Sequence, residues 1–211
     1  DHRDLHSFPT RRSSDLKKTM KNNAEIKEWL KENLNEERYL HSLGTADCAK
    51  DLAKRYGLDE EKAYLTGLIH DCAKCYKNED LKEIIENKMD CDPEELLNPK
   101  TFHSPAGAYV AKTEFGVEDE EILSAIYCHT VGKLNMTTFE KIIFLADKIE
   151  PNTRDKSWCE KVYKILNEEN GLDKALMACY DYTIKSLVDR RLKICLTTIK
   201  IYNELLDNIK A

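Results

Sequence analysis

Four histidines and two aspartates are the residues of this chain that best suit metal chemistry. Neutral imidazole and carboxylate groups together favour iron, manganese or zinc, and they need no thiolate. Two further histidines, His2 and His6, lie near the start of the chain in a segment of different composition. We predict that the remaining six side chains form a metal site in a helical bundle: His41, His70, Asp71, His103, His129 and Asp147.

Two of these residues continue the apolar faces of predicted helices. Asp147 follows Phe139 and Ile143 at four-residue steps, so on a helix it points toward the core. His129 lies three residues after Ile126 on a similar apolar stripe. An inward carboxylate is costly unless it is paired or bound to a metal.

Each residue also has an ordinary structural interpretation. A single inward histidine is more often a core residue that bonds a carbonyl, and an inward aspartate is more often a salt-bridge partner or a cap. A His-Asp dipeptide such as His70-Asp71 is common by chance. The metal interpretation depends on the coincidence that all six residues lie on, or at the ends of, five predicted helices.

Glycines accompany two of the histidines. Gly44 lies three residues after His41, and Gly67 lies three residues before His70. We expect both glycines to leave room beside the imidazole rings.

The elements that would position these residues are all helical. Apolar residues recur at three- and four-residue steps from Met20 onward, and no segment alternates with period two long enough for a strand. Gly57 should end the second helix, and Asp59 should cap the third. A Ser104-Pro105 cap would start a helix directly after His103, where the helix N-terminus favours anions. The predicted helical segments are 23–33, 36–56, the stretch after Asp59, 78–88, a turn from Asp92-Pro93, 105–115, 118–130, 137–149, 157–168, 172–187 and 190–208.

Length and composition fit a single globular domain. The chain has 211 residues, of which 41% are hydrophobic and 34% charged, and its net charge is −6. This length can bury a core of its own. A non-specific nucleic-acid binder usually carries a basic excess, so we expect no nucleic-acid partner. No apolar run approaches the roughly 20 residues that span a bilayer, so we expect no membrane segment.

The eight cysteines need a separate interpretation. Most lie in helix-like apolar stretches, which favours reduced, buried thiols in a cytoplasmic protein over a disulfide framework. Cys72 and Cys75 form a CxxC pair for which a redox or zinc role is the alternative, but no second CxxC completes a zinc tetrad. Cys72 and Cys128 each adjoin a candidate ligand, and neighbouring helix residues point about 100° apart, so their sulfurs should face elsewhere.

Residues 1–19 show no periodicity and differ in composition from the rest. The string HSFPTRRSSDL resembles a translated sequencing adapter, so we interpret this segment as non-native, with a disordered native extension as the alternative. We expect Met20 to be the start of one domain covering residues 20–211.

Three segments carry a resemblance to a known family. They are residues 38–74, which contain RYLHSLG and GLIHDCAK, residues 103–136, which contain HTVGK, and residues 139–151, FEKIIFLADKIEP. This pattern resembles the HD superfamily of metal-dependent phosphohydrolases, and more narrowly the bacterial symmetrical bis(5'-nucleosyl)-tetraphosphatases of the YqeK family. The resemblance implies a single-domain HD-type bundle with a metal site in its core, and hydrolysis of diadenosine tetraphosphate to two ADP.

The resemblance also implies roles for individual residues. His41, His70, Asp71 and Asp147 match positions that hold iron, as one or two ions, with manganese or another divalent metal as the alternative. His103 and His129 match positions near the phosphates that hold a second metal in related enzymes. The residues that match positions around the nucleotide are Arg38, Lys74, Thr130 and Arg154. Side-chain chemistry predicts catalytic roles for Asp71, which can ligate the metal and orient a bound water, and for Lys74, which can place its charge on a phosphate. Arg154 lies one residue later after IEP than the family's usual arginine, and the proline-glycine stretch that often follows is missing.

The residues alone predict only metal-assisted hydrolysis of a phosphoester or phosphoanhydride. The partner we expect is a small dinucleoside polyphosphate, and a homodimer is the candidate assembly. The alternatives are a nucleotidase or other nucleotide phosphohydrolase, a nucleotide sensor without turnover, and an iron-dependent oxygenase on the same scaffold.

Overall fold

The computed structural model describes residues 19–89 and 98–210, and within these ranges the chain is a bundle of ten α-helices without strands. This confirms the predicted all-α class. Residues 1–18 of the predicted extension and the predicted turn at Asp92-Pro93 lie outside the described residues. The helices are α1 (Asn23–Asn33), α2 (Glu36–Arg55), α3 (Glu60–Ile69), α4 (Asn78–Lys88), α5 (His103–Phe115), α6 (Glu120–Cys128), α7 (Thr138–Ile149), α8 (Lys156–Ile165), α9 (Gly171–Asp189) and α10 (Leu196–Lys210).

Local sequence signals account for several helix ends. The Asp59 side chain accepts a hydrogen bond from the Lys62 N–H and caps α3, as predicted. Thr137 and Glu140 form a reciprocal capping box at the start of α7. Gly57 has a φ of +67° just beyond the end of α2, a conformation that glycine adopts at little cost.

Two of the predicted helix starts are wrong for reasons that the structure shows. α5 begins at His103 rather than after Ser104, because the Ser104 hydroxyl donates to the Tyr127 carbonyl at 2.7 Å instead of capping its own helix. This bond ties the first turn of α5 to the end of α6. The last helix begins at Leu196 rather than at residue 190, because Arg191 has a φ of +55° and interrupts the helical path.

The core has two apolar clusters that meet at the centre of the bundle. One surrounds α7 and includes residues of α8, α9 and α10, and the other is built around α1, α3, α4 and α5. Helices α2, α3 and α6 contribute to both clusters. The backbones of α2 and α3 come so close that a Cβ on Gly67 would lie 2.7 Å from the Thr45 carbonyl oxygen. None of the described helices is long and apolar enough to cross a bilayer.

Candidate metal centre

The six predicted ligands come together where the two apolar clusters meet. His41 lies on α2 and Asp147 in the last turn of α7, while His103 is the first residue of α5. His70 and His129 follow the last residues of α3 and α6, and Asp71 directly follows His70. All six side chains are buried: His41, His70, Asp71, His103, His129 and Asp147.

Four of them form a first group of ligand atoms. His41 Nε2 lies 3.0 Å from Asp147 Oδ1 and 3.6 Å from Asp71 Oδ2. His70 Nε2 lies 3.5 Å from Asp71 Oδ2 and 3.7 Å from Asp147 Oδ1. The two imidazole Nε2 atoms are 3.2 Å apart. Two imidazoles and two carboxylates thus surround one point.

A second group uses the other oxygen of the same aspartate. His129 Nε2 and His103 Nε2 lie 3.3 Å and 3.4 Å from Asp71 Oδ1, and 3.2 Å from each other. Asp71 therefore stands between the two groups and offers one oxygen to each.

Hydrogen bonds at Nδ1 fix the direction of three imidazoles. His70 donates through Nδ1 to the Gly67 carbonyl at 2.6 Å, and His129 donates in the same way to the Ile126 carbonyl at 2.7 Å. His41 donates through Nδ1 to Glu150 Oε1 at 3.0 Å. With the first proton on Nδ1, the Nε2 atom of each ring points into the site, and in the neutral ring its lone pair can bind a metal, which is the usual arrangement for metal-bound histidine.

Glu150 is a functional residue that the sequence analysis missed. Its side chain is fully buried and also accepts the Asn152 N–H at 2.7 Å. A Cβ on Gly44 would collide with the Glu150 carboxylate, so the space expected beside His41 is filled by the residue that orients its ring. No local signal marked it, because Glu150 follows the last residue of α7 and its partner His41 lies on α2.

Burial and charge set the protonation of the site. Burial lowers the pKa of His103 to about 3 and also lowers that of His129, so both rings are neutral and able to coordinate a cation. Burial alone would lower the pKa of His70 too, but the carboxylates of Asp71 and Asp147 raise it to about 9. The negative field that holds a proton there also favours a metal cation.

The donor set fits a divalent metal. Asp71 is 1% exposed, and neither of its carboxylate oxygens accepts a hydrogen bond of regular geometry, although Lys74 Nζ lies 2.7 Å from Oδ2. A buried carboxylate without hydrogen bonds is costly unless a cation balances it. The sulfurs of Cys72 and Cys128 lie near backbone carbonyls of Gly107 and Ala125 and outside both groups, as predicted.

A cleft of about 590 Å³ opens from the centre to the surface. Asp147 and His103 lie in its wall, and Thr130 Oγ1 is 3.1 Å from His103 Nε2. Arg154 donates to Asp147 Oδ1 and to the Asp147 carbonyl, both at 2.8 Å. The cationic residues that line the cleft are Lys74, Lys100, Lys148 and Arg154.

The other residues expected around the nucleotide differ in their placement. Arg38 does not line this cleft, and its guanidinium donates to the Lys74 carbonyl at 2.6 Å. Lys74 lies in a short 3₁₀ helix, Cys72–Cys75, rather than on a continuation of α3. Arg38 thereby braces the turn from which the Lys74 ammonium reaches Asp71.

Comparison with known proteins agrees with this arrangement. Residues 38–152 match the family model described as HD domain. The chain is 38% identical to "Bis(5'-nucleosyl)-tetraphosphatase, symmetrical" of Halalkalibacterium halodurans, over 88% of this chain and 97% of that protein. It is 39% identical to the Bacillus subtilis protein of the same name, over 86% of this chain and 96% of that protein. A crystal structure of a "predicted HD superfamily hydrolase involved in NAD metabolism" from Clostridium acetobutylicum superposes with a TM-score of 0.83 and 39% identity, covering 90% of this chain and 99% of that one.

Proposed function

This chain belongs to the HD domain family and to its branch of symmetrical bis(5'-nucleosyl)-tetraphosphatases, and from that premise we propose that it hydrolyses diadenosine tetraphosphate to two ADP. The observation that carries the proposal is the position of Asp71. This buried carboxylate offers one oxygen to each of two histidine groups and lies 2.7 Å from the Nζ atom of Lys74, one of the lysines that line the cleft together with an arginine. Such a site suits a substrate whose reacting centre is anionic.

We propose that the first group of ligands, His41, His70, Asp71 and Asp147, holds an iron ion, with manganese or another divalent metal as the alternative. His103 and His129 then either contact the phosphates or hold a second ion with Asp71. When bound, a divalent cation polarises a phosphoryl oxygen and lowers the pKa of water at the site.

The cationic residues of the cleft offset the negative charge of the substrate. A polyphosphate resists attack because its oxygens repel an anionic nucleophile, and lysine and arginine side chains reduce that repulsion. Lys74 Nζ lies 2.7 Å from a carboxylate of the centre, so a phosphate bound there is within its reach. His103 and Thr130, on the wall of the cleft, face the same region.

Symmetrical cleavage places an inner phosphate at the centre. The oxygen of water attacks one inner phosphorus, and the bond from that phosphorus to the oxygen bridging the two inner phosphates breaks. One half keeps the water oxygen and the other leaves with the bridging oxygen, so both are ADP. The two protons of water pass to phosphate oxygens and solvent.

Identification of the products tests the proposal. The purified protein, loaded with iron or manganese, should convert diadenosine tetraphosphate to ADP alone, and Asp71→Asn should abolish the conversion. Release of ATP and AMP would contradict symmetrical cleavage. Release of phosphate from mononucleotides, with the tetraphosphate left intact, would identify a nucleotidase instead.

A further inference from the structure

Two aromatic residues line the outer part of the cleft. Tyr182 lies on α9 and Trp158 on α8, and their ring centroids are 5.4 Å apart at an interplanar angle of 39°. Tyr182 is 68% exposed, which is high for a ring of this size. Neither residue belongs to the metal centre or to the cationic wall.

The aromatic pair is held at a fixed position relative to the metal centre. Trp158 Nε1 donates to the Lys148 carbonyl at 3.1 Å, and Lys148 directly follows the candidate ligand Asp147. Tyr182 and the next residue of α9, Thr183, both line the cleft. A single exposed tyrosine is common on protein surfaces. Tyr182, in contrast, contacts the ring of Trp158, which is hydrogen-bonded to α7, the helix that carries the candidate ligand Asp147.

The substrate needs such a surface at this place. In a dinucleoside tetraphosphate, an outer phosphate and a ribose separate each base from the nearest inner phosphate. A base therefore cannot reach the centre and must lie farther out along the cleft. Its flat apolar faces gain most from an aromatic ring on which they stack.

We propose that Tyr182, supported by Trp158, is the surface on which one nucleobase of the substrate stacks. The inference rests on the proposed function, because it names where the nucleoside end of that substrate binds. Tyr182 acts in binding and does not touch the reacting phosphorus.

Competition by ADP and by inorganic pyrophosphate separates stacking from phosphate binding. Tyr182→Leu keeps apolar bulk but removes the ring, so the inhibition constant of ADP and the KM for the substrate should rise by about tenfold. The inhibition constant of pyrophosphate, which has no base, should stay the same. Tyr182→Phe keeps the ring and should retain most of the affinity for ADP.

Tyr163→Leu is the matched control. Tyr163 is an exposed aromatic residue on α8 that does not line the cleft, so its loss should leave ADP inhibition unchanged. An unchanged ADP constant in Tyr182→Leu, or an equal loss for ADP and pyrophosphate, would overturn the proposal.

Tryptophan fluorescence provides a readout that does not require turnover. The chain has two tryptophans, and Trp29 lies on α1 against Phe115, away from the cleft. ADP should quench the emission of Trp158, and the quenching should vanish in Trp158→Phe and weaken in Tyr182→Leu.

If ADP quenches Trp158 while diadenosine tetraphosphate stays intact, the proposed function fails and the stacking surface stands. If the substrate is cleaved but ADP causes no quenching, the stacking surface fails alone.

Discussion

Replacing Glu150 by glutamine should weaken metal binding although Glu150 is not itself a ligand. The carboxylate accepts the Nδ1–H of His41 at 3.0 Å and thereby holds the ring with Nε2 facing the carboxylates of Asp71 and Asp147. Glutamine preserves the size and can still accept the N–H groups of Asn152 and Thr153. It removes the negative charge and allows an amide N–H to face His41 Nδ1, which favours the tautomer with its proton on Nε2.

The size of the effect follows from the kind of contact. Loss of a carboxylate that orients a metal-bound histidine costs about 10- to 100-fold in metal affinity, which corresponds to about 1.4–2.8 kcal/mol. We expect the upper part of this range, because Glu150 is fully buried and water cannot replace it. The backbone contacts of the residue remain, so the fold should be kept.

Metal affinity can be measured by competition with a chromophoric chelator for manganese, alongside the melting temperature of the metal-free protein. Glu140→Gln is the control, because Glu140 is a second buried glutamate, in the first turn of α7, and pairs with Lys133 and Ser124 rather than with His41. Glu140→Gln should lower stability and leave metal affinity unchanged. Equal metal affinity in wild type and Glu150→Gln would refute the reasoning.

Three further outcomes are expected. Asp71→Asn removes charge from both ligand groups, so it should abolish turnover and lower the content of bound metal measured by elemental analysis. Normal metal content would contradict the shared position of Asp71. Gly44→Ala should lower metal affinity and the melting temperature, because the added Cβ collides with the Glu150 carboxylate. In an unhindered helix the same change stabilises the protein by up to about 1 kcal/mol. A higher melting temperature with normal metal affinity would contradict this packing. Burial raises the pKa of the Cys48 and Cys179 thiols to about 12. Both should therefore resist iodoacetamide at pH 8 in the folded protein and react after unfolding, as measured by peptide mass spectrometry. Rapid labelling of the folded protein would contradict their burial.

The apolar periodicity of the sequence was sufficient to predict the inward direction of two of the six side chains in the site. The four-residue steps through Ile143 to Asp147 and the stripe that ends at His129 indicated inward side chains, and both side chains are buried. These signals work because a helix repeats its faces at fixed intervals, whatever it packs against.

The missed features depend on contacts between distant segments. Glu150 follows the last residue of α7, where the helical period no longer applies, and its partner His41 is on α2. Ser104 has the residue type of a cap, but its hydroxyl binds the end of α6. The pair Trp158 and Tyr182 exists only because α8 packs against α9. These three features depend on tertiary contacts, which cannot be predicted from the local sequence.

Anomalous diffraction from crystals of the iron- or manganese-loaded protein tests the central claim most directly. We expect a metal peak about 2 Å from the Nε2 atoms of His41 and His70 and from carboxylate oxygens of Asp71 and Asp147. A peak beside His103 would identify a second ion. Metal bound elsewhere in the protein, with the His41 ring turned away from His70, would contradict the account.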